Sequence, residues 1–147
     1  MAEKGDIKAQ YSVALTQTRE ITMENGEFTL FRTLFDNDVE IKVIKDGKVG
    51  TTSLNKFDDK ALSDAVDNVL VSAEAGTADE NFDIAPGMDE AKFTIGAVEP
   101  DIDKLMQRAK ELSEDIKSRH PKVLVMQIIL KHVSTHSIYR NTNGSRD

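Results

Sequence analysis

Residues 11–55 read YSVALTQTREITMENGEFTLFRTLFDNDVEIKVIKDGKVGTTSLN, and this stretch decides the fold class. Apolar and polar residues alternate through it, the period of a strand with one covered face. Asn25-Gly26 and Asp46-Gly47 punctuate the run. Both dipeptides suit two-residue hairpin turns, in which both central positions need positive φ. With a further turn near Asn37, the stretch reads as four antiparallel strands in a meander. Turns at these points set Met23 against Phe28, Ile21 against Leu30, Leu34 and Leu54 against Val39, and Leu30 against Val43. One face then carries Tyr11, Val13, Leu15, Ile21, Met23, Phe28, Leu30, Leu34, Val39, Ile41, Val43 and Leu54. A slip of one residue would turn that whole set to water, so the pattern specifies the register. Arg32 falls on the same face and reads as a rim residue whose head reaches solvent.

A helix follows the meander. Ala61, Leu62, Ala65, Val66, Val69, Leu70 and Ala73 recur at helical spacing within residues 57–75. Asp58 or Asn55 can cap its N-terminus and Gly76 can end it. The small residues in the stripe allow close approach to the sheet. Residues 77–100 are acidic and carry Pro86-Gly87 and Pro100, which reads as a connector. Phe82 and Ile84 are expected to dock on the first unit, and Phe93 and Ile95 elsewhere. Asp79, Glu80 and Asp83 do not form a calcium loop, because Gly and Glu are missing from the required loop positions.

Residues 101–119 read as a second helix with a stripe of Ile102, Leu105, Met106, Ala109, Leu112 and Ile116, stopped before Pro121. His120 is placed to cap its end. Residues 123–133 and 137–141 read as two strands, and Asn143-Gly144 as a turn with no return strand. The expected architecture is α+β: a two-layer sandwich with a four-stranded antiparallel meander covered by a helix, then a helix and two strands of an incomplete second unit. The expected division is residues 9–86 as an N-terminal unit, 87–100 as a linker and 101–147 as the start of a truncated middle domain. Residues 1–8 are short, charged and expected to fray.

Composition narrows the function. The chain has 147 residues, 39% of them hydrophobic and 31% charged, and a net charge of −7. That acidic balance, with Lys and Arg scattered among acids, argues against a nucleic-acid surface. The absence of cysteine excludes disulfides, zinc-thiolate sites and thiol catalysis. No apolar run is long enough to span a bilayer and no signal-peptide core is visible, so the expected location is cytoplasmic.

Motifs for chemistry are sparse. His132 and His136 have H-x-x-x-H spacing, yet the β-branched residues around them indicate a strand. There, residues four apart are separated by about 13 Å, too far to share one zinc ion. Gly47-Lys48-Val49-Gly50-Thr51 lacks the Walker spacing and sits on a hairpin. Asp58 and Asp59 mark a solvated helix start. Nothing assembles an acid, a base and a nucleophile. No catalytic, cofactor-binding or metal-ligating residue is assigned, and a non-catalytic α+β module with a docking surface is the reading of the residues alone.

Four segments carry a family resemblance: T-x-T-R-E-I-T-x-x-N-G-E from Thr16, I-K-V-I-K-D-G-K-V-G-T-T-S-L-N from Ile41, A-L-S-D-A-V-D-N-V-L-V-S-A-E from Ala61, and D-I-A-P from Asp83. Together they resemble the N-terminal region of the TldD/PmbA proteins of bacteria and archaea, historically called modulators of DNA gyrase. The densest part runs from Val39 to Pro86. The end of the chain, Arg140 to Gly144, resembles the start of the family's middle region. The resemblance implies a two-chain assembly around an internal chamber, in which one subunit type carries a zinc H-E-x-x-x-H motif and cleaves unstructured peptides. It implies that the N-terminal unit helps to build the chamber and the subunit contacts.

No H-E-x-x-x-H occurs in this sequence. The chain is therefore expected to hold no cofactor and to be inactive alone, either as a fragment of a longer protein or as part of the metal-free PmbA-like partner. The remaining family domains or a partner subunit are the expected contacts, in an oligomer, with an unstructured peptide as substrate and neither nucleic acid nor membrane involved. The alternative is a free-standing protein-binding domain. The resemblance implies a helix before the first strand, which is expected here to be absent or reduced to Ala2-Glu3-Lys4-Gly5.

Overall fold

A computed structural model describes residues 7–144; Ala2–Gly5 lie outside the described residues. The elements are β1 (Ile7–Glu24), β2 (Glu27–Lys45), β3 (Lys48–Leu54), α1 (Asp59–Ala75), α2 (Ile102–Arg119) and β4 (Gln127–Asn141). The four strands form one antiparallel sheet in the order β3-β2-β1-β4. The α+β class is as expected.

Local turn chemistry holds at both glycine dipeptides. Asn25 and Gly26 take φ of 50° and 91°, and Asp46 and Gly47 take 52° and 71°. Positive φ at both central residues is what closes a two-residue hairpin. The β2–β3 register follows from the second turn and sets Val39 against Leu54, as expected, and Val43 against Gly50.

The strand assignment differs in two places. No turn forms at Asn37, and β2 runs unbroken from Glu27 to Lys45. Asn37 has no glycine beside it, and its φ is not positive, so Asp36-Asn37-Asp38 continues as strand. The stretch 11–55 thus supplies three strands. The fourth is β4, a single strand where two were expected, beginning at Gln127 and continuing through Ser134–His136. It pairs with β1: Thr142 N–H donates to the Ala9 carbonyl at 2.9 Å, and Asn25 N–H donates to the Met126 carbonyl at 3.2 Å. An edge strand tolerates the polar run His132–His136, because its ladder bonds need only one neighbour.

The chain forms two compact units. In the first (described residues 7–15, 36–93 and 136–144), the core holds Val39, Val43, Ile44, Ala65, Val69, Ala73 and Ile84. The Asp58 side chain accepts from Ala61 N–H at 2.9 Å and caps α1. The buried stripe of α1 is Ala65, Val69 and Ala73. This helix packs on β3 so closely that a Cβ on Gly50 would collide with the Val69 carbonyl and sit 2.6 Å from the Ala73 nitrogen. In the second unit (residues 16–35 and 94–135), Ile21, Met23 and Ala109 are buried. The Asp101 carboxylate caps α2 by accepting from Lys104 N–H at 2.9 Å. His120 ends it, its N–H donating to the Ile116 carbonyl at 2.8 Å.

Candidate functional site

The D-I-A-P segment shows how the first unit uses its connector. Asp83 Oδ1 accepts from Lys8 Nζ at 2.8 Å and from Ile84 N–H at 2.8 Å. Lys42 Nζ donates to the Asp83 carbonyl at 3.2 Å. Ile84 is buried while Phe82 stays partly exposed, so of the two expected anchors Ile84 is the one that docks fully. The Ala85 carbonyl accepts from the side-chain amides of Asn141 and Asn143, at 3.0 and 2.9 Å. The segment is therefore a strap tied to β1, β2 and the end of β4. The hydrogen bond from Lys8, then that from Ile84 N–H, and the charges of Lys8 and Lys42 hold the Asp83 carboxyl below its usual range. Nearby, Asp79 accepts two 2.8 Å hydrogen bonds from Asn81, which closes a local turn.

The same unit carries an open groove of about 440 Å³ lined by Gln10, Ser12, Glu40, Lys42, Ser53 and Tyr139, among others. The Tyr139 hydroxyl donates to Gln10 Oε1 at 3.2 Å. The lining is polar but holds no nucleophile activated by a base. Phe93 and Ile95, expected to dock, are exposed.

The second unit holds a charge cluster. Glu20 is only 3% exposed, and among the described residues no other charged side chain is buried. Arg32 Nη2 stands 2.8 Å from Oε1, and Lys131 Nζ 3.2 Å from Oε2. The Lys131 contact is an ion pair without hydrogen-bond alignment, since Oε2 has no hydrogen-bond partner. Burial pushes the Glu20 carboxyl up, but Lys131 and Arg32 together outweigh it and hold it below its usual value. Arg32, read as a rim residue, is thus half of a bracket around a buried acid. Glu20 escaped the sequence reading because its partners come from other strands and T-R-E-I-T carries no mark of burial.

The histidines do not converge. His132 contacts the Ala97 carbonyl at 2.9 Å through its ring nitrogen, and His136 lies four residues further along the same strand. Among the described residues no group of three His, Cys, Asp or Glu side chains is arranged to hold a metal. No helix among the described residues is long and apolar enough to cross a membrane.

These features define an α+β domain built on one four-stranded sheet. The family model described as PmbA/TldA metallopeptidase domain 1 matches residues 13–73. Over that stretch the chain is similar to the first domain of the TldD/PmbA family. Solved structures share the fold. A candidate modulator of a DNA gyrase from Thermotoga maritima aligns over 96% of this chain and 32% of its own, with a TM-score of 0.70 and 22% identity. TldE from Thermococcus kodakarensis aligns over 95% of this chain and 33% of its own, with a TM-score of 0.75 and 14% identity. A candidate modulator of DNA gyrase from Bacteroides thetaiotaomicron aligns over 99% of this chain and 35% of its own, at 0.74 and 14%. The chain spans about a third of the length of these structures. No curated protein matched it.

Proposed function

We propose that this chain is the N-terminal structural and assembly module of a TldD/PmbA-type peptidase, acting in proteolysis or peptide maturation in the cytoplasm and not catalytic by itself. The match of residues 13–73 to the first domain of that metallopeptidase family carries the reading. The alignment with about a third of each solved neighbour agrees with a module that works beside further domains. Its contacts are the remaining family domains or a partner subunit, and the peptide substrate meets chemistry located outside this chain.

Large exposed apolar side chains support the assembly role. In the first unit Val71 and Phe93 are open to solvent, and in the second Phe35, Leu124 and Ile95. Exposed apolar side chains of this size offer surface that a partner can cover. Two measurements test the proposal. Light scattering across a concentration series should show association, and a strict monomer throughout would count against it. The purified chain with added zinc should leave a flexible fluorogenic peptide intact; zinc-dependent cleavage would refute the non-catalytic part.

A further inference from the structure

Glu20 invites an explanation beyond stability. An ionised carboxylate is kept out of water only when paired, and Arg32 alone supplies a 2.8 Å pair to Oε1. A second cation, Lys131, stands at Oε2 without a hydrogen bond. The cluster therefore carries one acid and two bases, a local excess of positive charge on a chain of net charge −7. Both cations remain accessible, their side chains 48% and 53% exposed. Arginine has five N–H donors and lysine three, so donors are left over after Glu20 is paired.

The surroundings are suited to an anion. Thr16 and Thr135 hydroxyls lie 3.1 Å apart across β1 and β4, which places them on one face. Alternate residues of a strand share a face, so Thr18 and Glu20 lie on it too, with Lys131 and Val133 on β4. Thr18 offers a hydroxyl about 7 Å along the strand from Glu20. Without the acid between them, the two cations would repel each other and sample many rotamers. Glu20 is a positioning residue that holds them at one place.

We propose that Arg32 and Lys131, bracketed on Glu20, form a binding site for a small oxyanion, the carboxylate or phosphate group of a ligand. The guanidinium fork matches either group in bidentate fashion, and Lys131 adds a point charge beside it. The site is independent of the assembly role, so scattering tests one and anion titration the other.

The test uses the full 147-residue chain, labelled with ¹⁵N and titrated at constant ionic strength with sodium acetate, inorganic phosphate or sodium chloride. Acetate or phosphate should give saturable amide shifts confined to residues 18–22, 31–33 and 129–133, and chloride should not. The anion that saturates at the lower concentration identifies the ligand group. Lys131→Gln should weaken the apparent affinity about fivefold, the scale of one exposed ion pair, while Lys60→Gln on α1 should leave it unchanged. Equal shifts with chloride, or an undiminished acetate and phosphate response in Lys131→Gln, would overturn the site. If Lys131→Gln disturbs the fold, the comparison of anions on the unaltered chain decides.

Discussion

Gly50→Ala should destabilise this protein, although local propensity says the opposite. Glycine inside a strand is worse than alanine by about 0.5–1 kcal/mol, from backbone entropy alone. On that ground the substitution is neutral or favourable. The tertiary structure reverses the sign. An added Cβ would collide with the Val69 carbonyl, sit 2.6 Å from the Ala73 nitrogen and lie 3.1 Å from the Ala73 Cβ. Two of these are backbone atoms of α1, so no rotamer change relieves them and the helix must retreat. Overpacking a filled site costs about 1–3 kcal/mol, and rigid neighbours put this case at about 3 kcal/mol.

That is roughly a hundredfold in the folding equilibrium and a fall in melting temperature of about 6–12 °C for a chain of this size. Urea unfolding followed by circular dichroism measures it, with an unchanged slope confirming that the same surface is exposed. Gly26→Ala is the control. Gly26 has φ of 91° and nothing within 4 Å of an added Cβ, so its cost is backbone strain alone, about 1–2 kcal/mol. If Gly50→Ala lies within 0.5 kcal/mol of the parent, or costs less than Gly26→Ala, the close packing of α1 on β3 is refuted.

Asp58→Ala should cost about 1 kcal/mol through loss of the α1 cap, and Asp58→Gly only a few tenths, measured by the same unfolding curves. Asp83 gives a pH signature. Its folded pKa is depressed, first by the Lys8 hydrogen bond. The stability it contributes is complete above its unfolded pKa and fades as pH falls through the lower folded value. Asp83→Asn should therefore be the less stable protein at pH 7, and the gap should narrow as pH falls below the ordinary aspartate value of about 3.9; a gap that is constant with pH would show that the Lys8 pair contributes nothing.

Much of this fold is legible without coordinates, and the reason is that the signals are local. Asn25-Gly26 and Asp46-Gly47 close their turns with four residues that need no distant partner. Asp58 caps a helix three residues away, and the buried Ala65, Val69, Ala73 and Ala109 fall on stripes set by the 3.6-residue period, although Val66 and Leu112 on the same stripes are exposed. The D-I-A-P segment could be recognised as a motif, but the partners of Asp83, Ile84 and Ala85 could not be read from it, because Lys8, Lys42, Asn141 and Asn143 reach it from separate strands.

The surface candidates were less legible still. Glu20 sits in an alternating polar run whose pattern is the same whether its side chain meets water or a bracket of Arg32 and Lys131. The sequence by itself determined the α+β class, the two hairpin turns and the helix limits, since each rests on spacing and backbone preference within a few residues. Only the tertiary structure decided that β2 continues past Asn37, that β4 pairs with β1, and that Glu20 is buried. Strand continuity and pairing depend on which distant edges meet, and the state of a carboxylate depends on the charges that folding brings to it.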